Sequence, residues 1–302
     1  MANRKTKKTR YHATIIGAGR AGSAVARALR SAGHRIECVV SKSEDSARTL
    51  AKELRATIAT AKLVNVPQKT DLIIIATGDD TVAIIARQLA QIAQLNFRGV
   101  TVAHVSGALT REALAPLQKK GAVTLGLHPA FPFASRHIPA KRLHGIGWAV
   151  ECTPKDWRFA KNIVESLHGV PVRINPKHKI LYHAGCSVAS NFLVVLIDSA
   201  TQLFQEAGIS PQDARKLLQP LVAETMNNVW SDPDVPLSKK LTGPVARGDA
   251  DTLRQHLASL KKFRETEQMF RALTRSAFAI AKKNKNIAPE KLQMLRRVIE
   301  SE

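Results

Sequence analysis

Apolar positions follow two regimes along this chain. Up to residue 174, short aliphatic runs at 12–17, 35–40, 71–77, 101–105, 123–127, 146–152 and 170–174 alternate with segments of helical spacing at 20–32, 44–55, 81–94 and 154–168. The run Asp71-Leu72-Ile73-Ile74-Ile75-Ala76-Thr77 has no polar position inside it. That is the pattern of a strand covered on both faces, as in a parallel sheet. Beyond Pro176 the spacing is helical almost throughout: one helix over 176–207 stopped by Gly208, a second from Ser210-Pro211 to about Trp230, then helical segments over 249–283 and 289–300. Ser210 suits a helix cap and Pro211 a first turn, and the Pro-rich stretch 231–247 reads as a loop. The order predicts a basic disordered tail at 1–11, an α/β domain with a doubly wound sheet at 12–174, and an all-α domain at 175–302.

The first strand-to-helix junction carries the most specific pattern. Ala13-Thr14-Ile15-Ile16 enters Gly17-Ala18-Gly19-Arg20-Ala21-Gly22, and an Ala-rich helical segment leaves it. Gly-x-Gly-x-x-Gly between a strand and a helix is the fingerprint of a dinucleotide site. Gly17 permits the tight turn, Gly19 lets a pyrophosphate approach, and Gly22 lets helix and strand pack closely. Arg20 and Ala21 begin the helix whose N-terminus then faces the phosphates. Thr77 and Asp79 follow the 71–77 strand and border the same crevice. After the second strand come Ser41, Lys42 and Ser43, where an NAD site carries an acid for the ribose diol. A cation between hydroxyls suits a 2′-phosphate, so NADP (NADPH) is the expected cofactor. Glu37 lies inside the strand, too early to serve.

Composition narrows the setting. The chain has 302 residues, 44% hydrophobic and 5% aromatic, and a formal net charge of +22, part of it from Arg4, Lys5, Lys7, Lys8 and Arg10. No zinc-finger, helix-turn-helix or stacking-aromatic motif accompanies this charge, so a basic surface for anionic small molecules is expected, without a specific nucleic-acid partner. Cys38, Cys152 and Cys186 have no metal-type spacing and read as free thiols of a reducing cytoplasm. No signal peptide is visible, and no segment is expected to span a membrane.

Candidate proton carriers are His104 and His128, at the ends of the 101–105 and 123–127 strands, and His183 on the first helix after Pro176. No close spacing among them points to a metal. Ser106 and Gly107 can present a hydroxyl and backbone N–H groups to a small substrate. Asn191 is a further catalytic candidate, placed to hydrogen-bond substrate or nicotinamide or else to tie helices together, and Arg247 is a substrate-binding candidate for a substrate anion or for the cofactor phosphate of a partner subunit. Asp80 or Thr81 is expected to cap the helix at 81–94, and Asp249 the helix after it.

A Rossmann unit followed by helices resembles the β-hydroxyacid and 6-phosphogluconate dehydrogenase-like superfamily. Within it, the segments His104-Val105-Ser106-Gly107-Ala108-Leu109, Gly126-Leu127-His128-Pro129, Tyr182-His183-Ala184-Gly185, Ser190-Asn191-Phe192-Leu193 and Leu241-Thr242-Gly243-Pro244-Val245-Ala246-Arg247-Gly248-Asp249 resemble a little-characterised family of NADP oxidoreductases with a C-terminal domain of unknown function. The resemblance implies an all-α second domain like that of 6-phosphogluconate dehydrogenase and hydride transfer to or from a small polar carbonyl or imine, while apolar helices such as 186–204, long for one small domain, predict a homodimer through the helices. Many superfamily members use Lys-x-x-x-Asn on a helix, with the lysine handling a proton. Here Ser187 stands four residues before Asn191, so that lysine has no counterpart at this spacing. A non-catalytic NADP-binding sensor or scaffold, and a deazaflavin-linked NADP reductase, are the alternative expectations.

Overall fold

The computed structural model describes residues 10–283 and 287–300, and most of the expected basic tail, residues 1–9, lies outside them. Tyr11 corrects the tail's end: it is buried in the core, and its N–H donates to His34 Nδ1. The chain forms two compact units, 1–191 and 192–302.

The first unit alternates strands and helices in the predicted order: β1 (His12–Ile16), α1 (Arg20–Ser31), β2 (Arg35–Val40), α2 (Glu44–Leu54), β3 (Ile58–Thr60), β4 (Leu72–Ile75), α3 (Asp79–Gln91), β5 (Thr101–His104), α4 (Ala115–Lys119), β6 (Val123–Pro129), β7 (Gly147–Glu151), α5 (Trp157–Ser166), β8 (Val170–Arg173) and α6 (Lys179–Ala189). One eight-stranded sheet runs β3-β2-β1-β4-β5-β6-β7-β8. All neighbours pair parallel except β6 and β7. The aliphatic runs lack polar alternation because both faces are covered. On β4, Leu72 and Ile74 join the cluster of Ile15, Leu29, Leu125 and Trp148, while Ile73 and Ile75 join that of Ile16, Cys38, Leu89 and Val102.

This compact unit extends through α6 to Asn191, past the expected boundary at 174/175, and Lys179 at the start of α6 pairs with Glu151 of β7. The single helix expected over 176–207 is interrupted at Ser190 and continues as α7 (Asn191–Glu206). Within Pro176–Glu206 an 18-residue window with a mean hydropathy of 1.8 is long and apolar enough to cross a membrane by length and composition, and none of that window is buried. Ser187, Ser190 and Asn191 interrupt the apolar residues of this stretch, as the sequence shows.

The second unit is helical: α7, α8 (Pro211–Trp230), α9 (Leu237–Lys240), α10 (Pro244–Arg247), α11 (Ala250–Leu260), α12 (Arg264–Ala281) and α13 (Pro289–Glu300). Ser210 caps α8 by accepting from Asp213 N–H, and Asp249 caps α11 by accepting from Thr252 N–H, both as expected. The stretch 231–247 is not all loop, since α9 and α10 form within it. The span 249–283 divides into α11 and α12 around Phe263. Leu253 and Leu257 of α11 pack with Leu295, Val298 and Ile299 of α13.

Candidate active site

The glycine turn sits where the sheet order reverses, between β1 and β4, the position at which doubly wound sheets open a crevice. Gly17 has φ +108°, and a Cβ there would lie 2.4 Å from Ala76 O, beyond the end of β4. A Cβ on Gly22 would lie 1.9 Å from Gly17 O, so strand and helix close up only with glycine. Gly19 differs: a Cβ there meets nothing within 4 Å. Its face is open, it caps α1 without a side chain, and no acid occupies the first turn at Arg20, Ala21 and Gly22. The first-turn N–H groups and the positive end of the helix dipole thus meet no carboxylate of their own helix. This arrangement fits a dinucleotide pyrophosphate.

Across the turn, Thr77 is half-buried and Asp79 is exposed as the first residue of α3. The cap of α3 is Gly78, not Asp80 or Thr81; Thr81 Oγ1 instead donates to Gly78 O at 2.8 Å. Past β2, Ser41 is half-buried and Lys42 exposed, while Ser43 caps α2. Glu37 is buried against His12, Arg35 and Lys69, so it belongs to the sheet's interior, as its place in the strand implied. A second cation reaches this corner. The segment after β6 folds back, and Arg136 Nη1 donates to Ser46 Oγ in the first turn of α2, while Arg27 holds the Arg136 carbonyl. Nothing in the spacing of Arg136 announces this.

The three candidate histidines divide. His128 and His183 come together at Gly107, with ring centroids 5.9 Å apart at 87°. A Cβ on Gly107 would lie 2.5 Å from His183 Cδ2 and 2.9 Å from His128 Nε2. His128 Nδ1 hydrogen-bonds Tyr182 Oη at 2.7 Å, and Tyr182 in turn meets Cys186 one helical turn on. Burial, with help from the His183 and Lys179 charges, lowers His128 to about 4, so the imidazole is neutral at pH 7. Burial, with the Cys186 thiol beside it, raises Tyr182 and keeps its phenol protonated. Tyr182 belongs to a segment that carries the family resemblance, but nothing in the sequence assigned it a role in the site.

His104 is not an accessible proton carrier. It is fully buried, and neither ring nitrogen makes a well-aligned hydrogen bond. Burial, then the Lys179 charge, lowers it to about 3, with the Thr110 backbone offsetting this only in part. Its ordinary value near 6.5 returns on unfolding, so the unfolded chain protonates first. The stability this imidazole supports is complete above the ordinary range and is lost as pH falls from about 6.5 toward 3. His104→Leu should therefore be less acid-sensitive: between pH 7 and 5 the wild type should lose about 2 kcal/mol more than the variant. Urea unfolding at the two pH values measures this, and identical losses would refute the assignment.

Ser106 is occupied by its own loop. Its Oγ accepts from Ala108 N–H at 3.1 Å and Leu109 N–H at 3.0 Å, so those two donors are turned inward and Ser106 itself keeps its hydroxyl proton to offer. Asn191 starts α7, beyond the interruption at Ser190, so Ser187 and Asn191 do not share the uninterrupted helix face that their spacing suggested. Arg247 ends α10 with its side chain exposed in the second unit.

A lysine does lie in the cluster, eight residues earlier than the expected place. Lys179 opens α6, one turn before His183, and is fully buried. Its Nζ donates to Glu151 Oε2 at 2.8 Å, and Glu151 Oε1 accepts from Arg111 N–H at 2.9 Å. Register explains the fit: His104, Gly126 and Glu151 are neighbours across β5, β6 and β7, and Gly126 lacks the side chain that would fill the space. A Cβ there would lie 2.6 Å from Lys179 Nζ. Burial lowers Lys179, and Glu151 opposes that shift. The signal was Lys-x-x-x-His at 179–183 in an otherwise apolar segment.

The fold recurs in solved structures. An inferred NADP oxidoreductase from Bacteroides fragilis is 22% identical, with 89% of this chain and 98% of that chain aligned at a TM-score of 0.72. A pyrroline-5-carboxylate reductase from Streptococcus pyogenes is 14% identical over 97% and 100% of the two chains, with a TM-score of 0.63. An imine reductase from Myxococcus stipitatus, in complex with NADP+, is 18% identical over 96% and 100%, also at 0.63. At these identities the likeness shows a common fold. No curated protein matches the sequence. Residues 1–129 match a Rossmann-like domain and residues 146–277 the domain of unknown function DUF2520, so the chain carries a Rossmann-like segment followed by a DUF2520 segment.

Proposed function

We propose that this protein is an NADPH-dependent reductase of a small polar imine or carbonyl compound, working in the cytoplasm as a homodimer. The observation that carries the reading is the open face of Gly19 at the sheet's switch point, in the same compact unit as the paired His128 and His183. The bound nicotinamide would supply hydride chemistry. The chain's own share is to bind, orient and move a proton. Gly17, Gly19, Arg20, Ala21 and Gly22 would hold the pyrophosphate, with Thr77 and Asp79 at the crevice wall. Ser41, Lys42 and Arg136 would take the 2′-phosphate. Ser106, Gly107 and Arg247 are assigned to the substrate, with Asn191 as a further polar partner. His183, next to a neutral His128 that is bonded to Tyr182, would deliver or accept the proton.

The names of the fold relatives, an imine reductase with NADP+ and a pyrroline-5-carboxylate reductase, support imine chemistry over a deazaflavin partner. Three free thiols support a reducing compartment. The exposed Phe192, Val194 and Val195 on α7, and Leu217, Leu221 and Trp230 on α8, support a second copy as the cover for these helices.

Calorimetry tests the cofactor reading. NADPH should bind more tightly than NADH. Gly19→Ala should fold normally, since its Cβ has free space in the protein alone, yet weaken NADPH by at least about tenfold, or 1.4 kcal/mol. Equal binding of NADH, or unchanged affinity in the variant, would overturn the assignment. Tight NADPH binding without turnover of any imine, carbonyl or flavin would favour the sensor reading.

A further inference from the structure

We infer that Lys179 and Glu151 are a positioning pair that seats α6 in the niche over Gly126, thereby placing Tyr182 and His183 against His128 and fixing the 106–111 turn. The inference deepens the reading of this cluster as the proton-handling site and rests on it. Three contacts meet at one residue, two of them at its carboxylate. Glu151 Oε2 takes the lysine that begins α6, Glu151 Oε1 takes the Arg111 N–H that ends the turn bearing Gly107, and the Glu151 backbone pairs with Gly126 in the sheet.

The pair itself has no access to a substrate, since the two side chains are only 1% and 2% exposed. A helical residue four places on shares the face of Lys179, and that residue is His183; three places on is Tyr182. Fixing the first turn of α6 therefore fixes both. Both rings reach in over Gly107, where even a Cβ would collide with them, so a displacement of α6 would change the contact between His183 and His128. The titratable and charged groups facing His128 are Tyr182 and His183 from α6, the Lys179 charge at its start, the Asp79 charge from α3 and His104 from β5.

Nitrogen-15 NMR of the full chain, labelled at histidine, reads this directly at His128 Nδ1, where the Tyr182 hydrogen bond falls. In the wild type that signal should carry the hydrogen-bonded signature. In the double variant Lys179→Met with Glu151→Leu the signature should disappear and His183 should shift, while His256 of the second unit stays unmoved. Gly126→Ala keeps both charges but fills the niche, and should give the same loss; it also decides the matter if the double variant does not fold. Unchanged His128 and His183 signals in a folded variant would overturn the inference. NADPH titration of the same samples separates the two layers. A wild type that fails to bind NADPH removes the proposed function, whereas the positioning role stands or falls on the His128 signal alone.

Discussion

Glu151→Leu alone is expected to destabilise the sheet-bearing unit by about 3–5 kcal/mol, among the largest effects a single substitution here can have. The magnitude comes from what remains: Lys179 keeps its charge in a niche closed to water, and the Arg111 N–H loses its acceptor. A buried ammonium without a counter-ion must either shed its proton or drag α6 away from β6. Changing Lys179 to Met at the same time should recover most of the loss, because a buried pair replaced by apolar groups of similar volume is often neutral. Urea unfolding followed through Trp148, buried in the same unit, measures both variants. If the single variant is as stable as the double one, Lys179 is not charged in its niche.

The second large effect concerns turnover. His183→Asn should lower the rate on an imine or carbonyl substrate by about a hundredfold or more while leaving NADPH affinity intact. His183 lies at Gly107 and reaches none of the residues of the glycine turn through any contact described above. Asparagine keeps a polar group of similar reach but cannot gain and lose a proton. A screen of imines and carbonyls with NADPH, followed by the variant on any that react, gives the comparison. Normal turnover in the variant would reduce His183 to a packing residue and leave the Tyr182–His128 pair as the proton path.

What the sequence made legible follows from range. The glycine turn, the strand runs and the caps at Ser210 and Asp249 are written in neighbouring residues, and each was found where its pattern lay. The short β3 was not, because Ile58-Ala59-Thr60 is too brief to show a period. The reversal of β7 was equally invisible, since a strand's composition does not record its direction. Lys179 was overlooked for a related reason. Its partner is 28 residues away on that reversed strand, and its niche exists only because Gly126 stands between. Spacing nominated Ser187 and Asn191, but the interruption at Ser190 put them on separate helices. Arg136 is the same case on the surface: only the fold-back of the segment after β6 brings it to Ser46.

The reversed β7 also bears on how such a protein can be inherited. The DUF2520 match begins at residue 146, so β7, β8 and α6 travel with the second half of the sequence although they complete the sheet of the first. Gly107, Gly126 and His128 lie in the Rossmann-like segment, while Glu151, Lys179, Tyr182 and His183 lie in DUF2520. The cluster is thus co-owned across a genetic seam that does not coincide with the spatial division after Asn191. A Rossmann-like half recombined with a foreign partner would keep its cofactor turn yet bring only one side of the histidine pair.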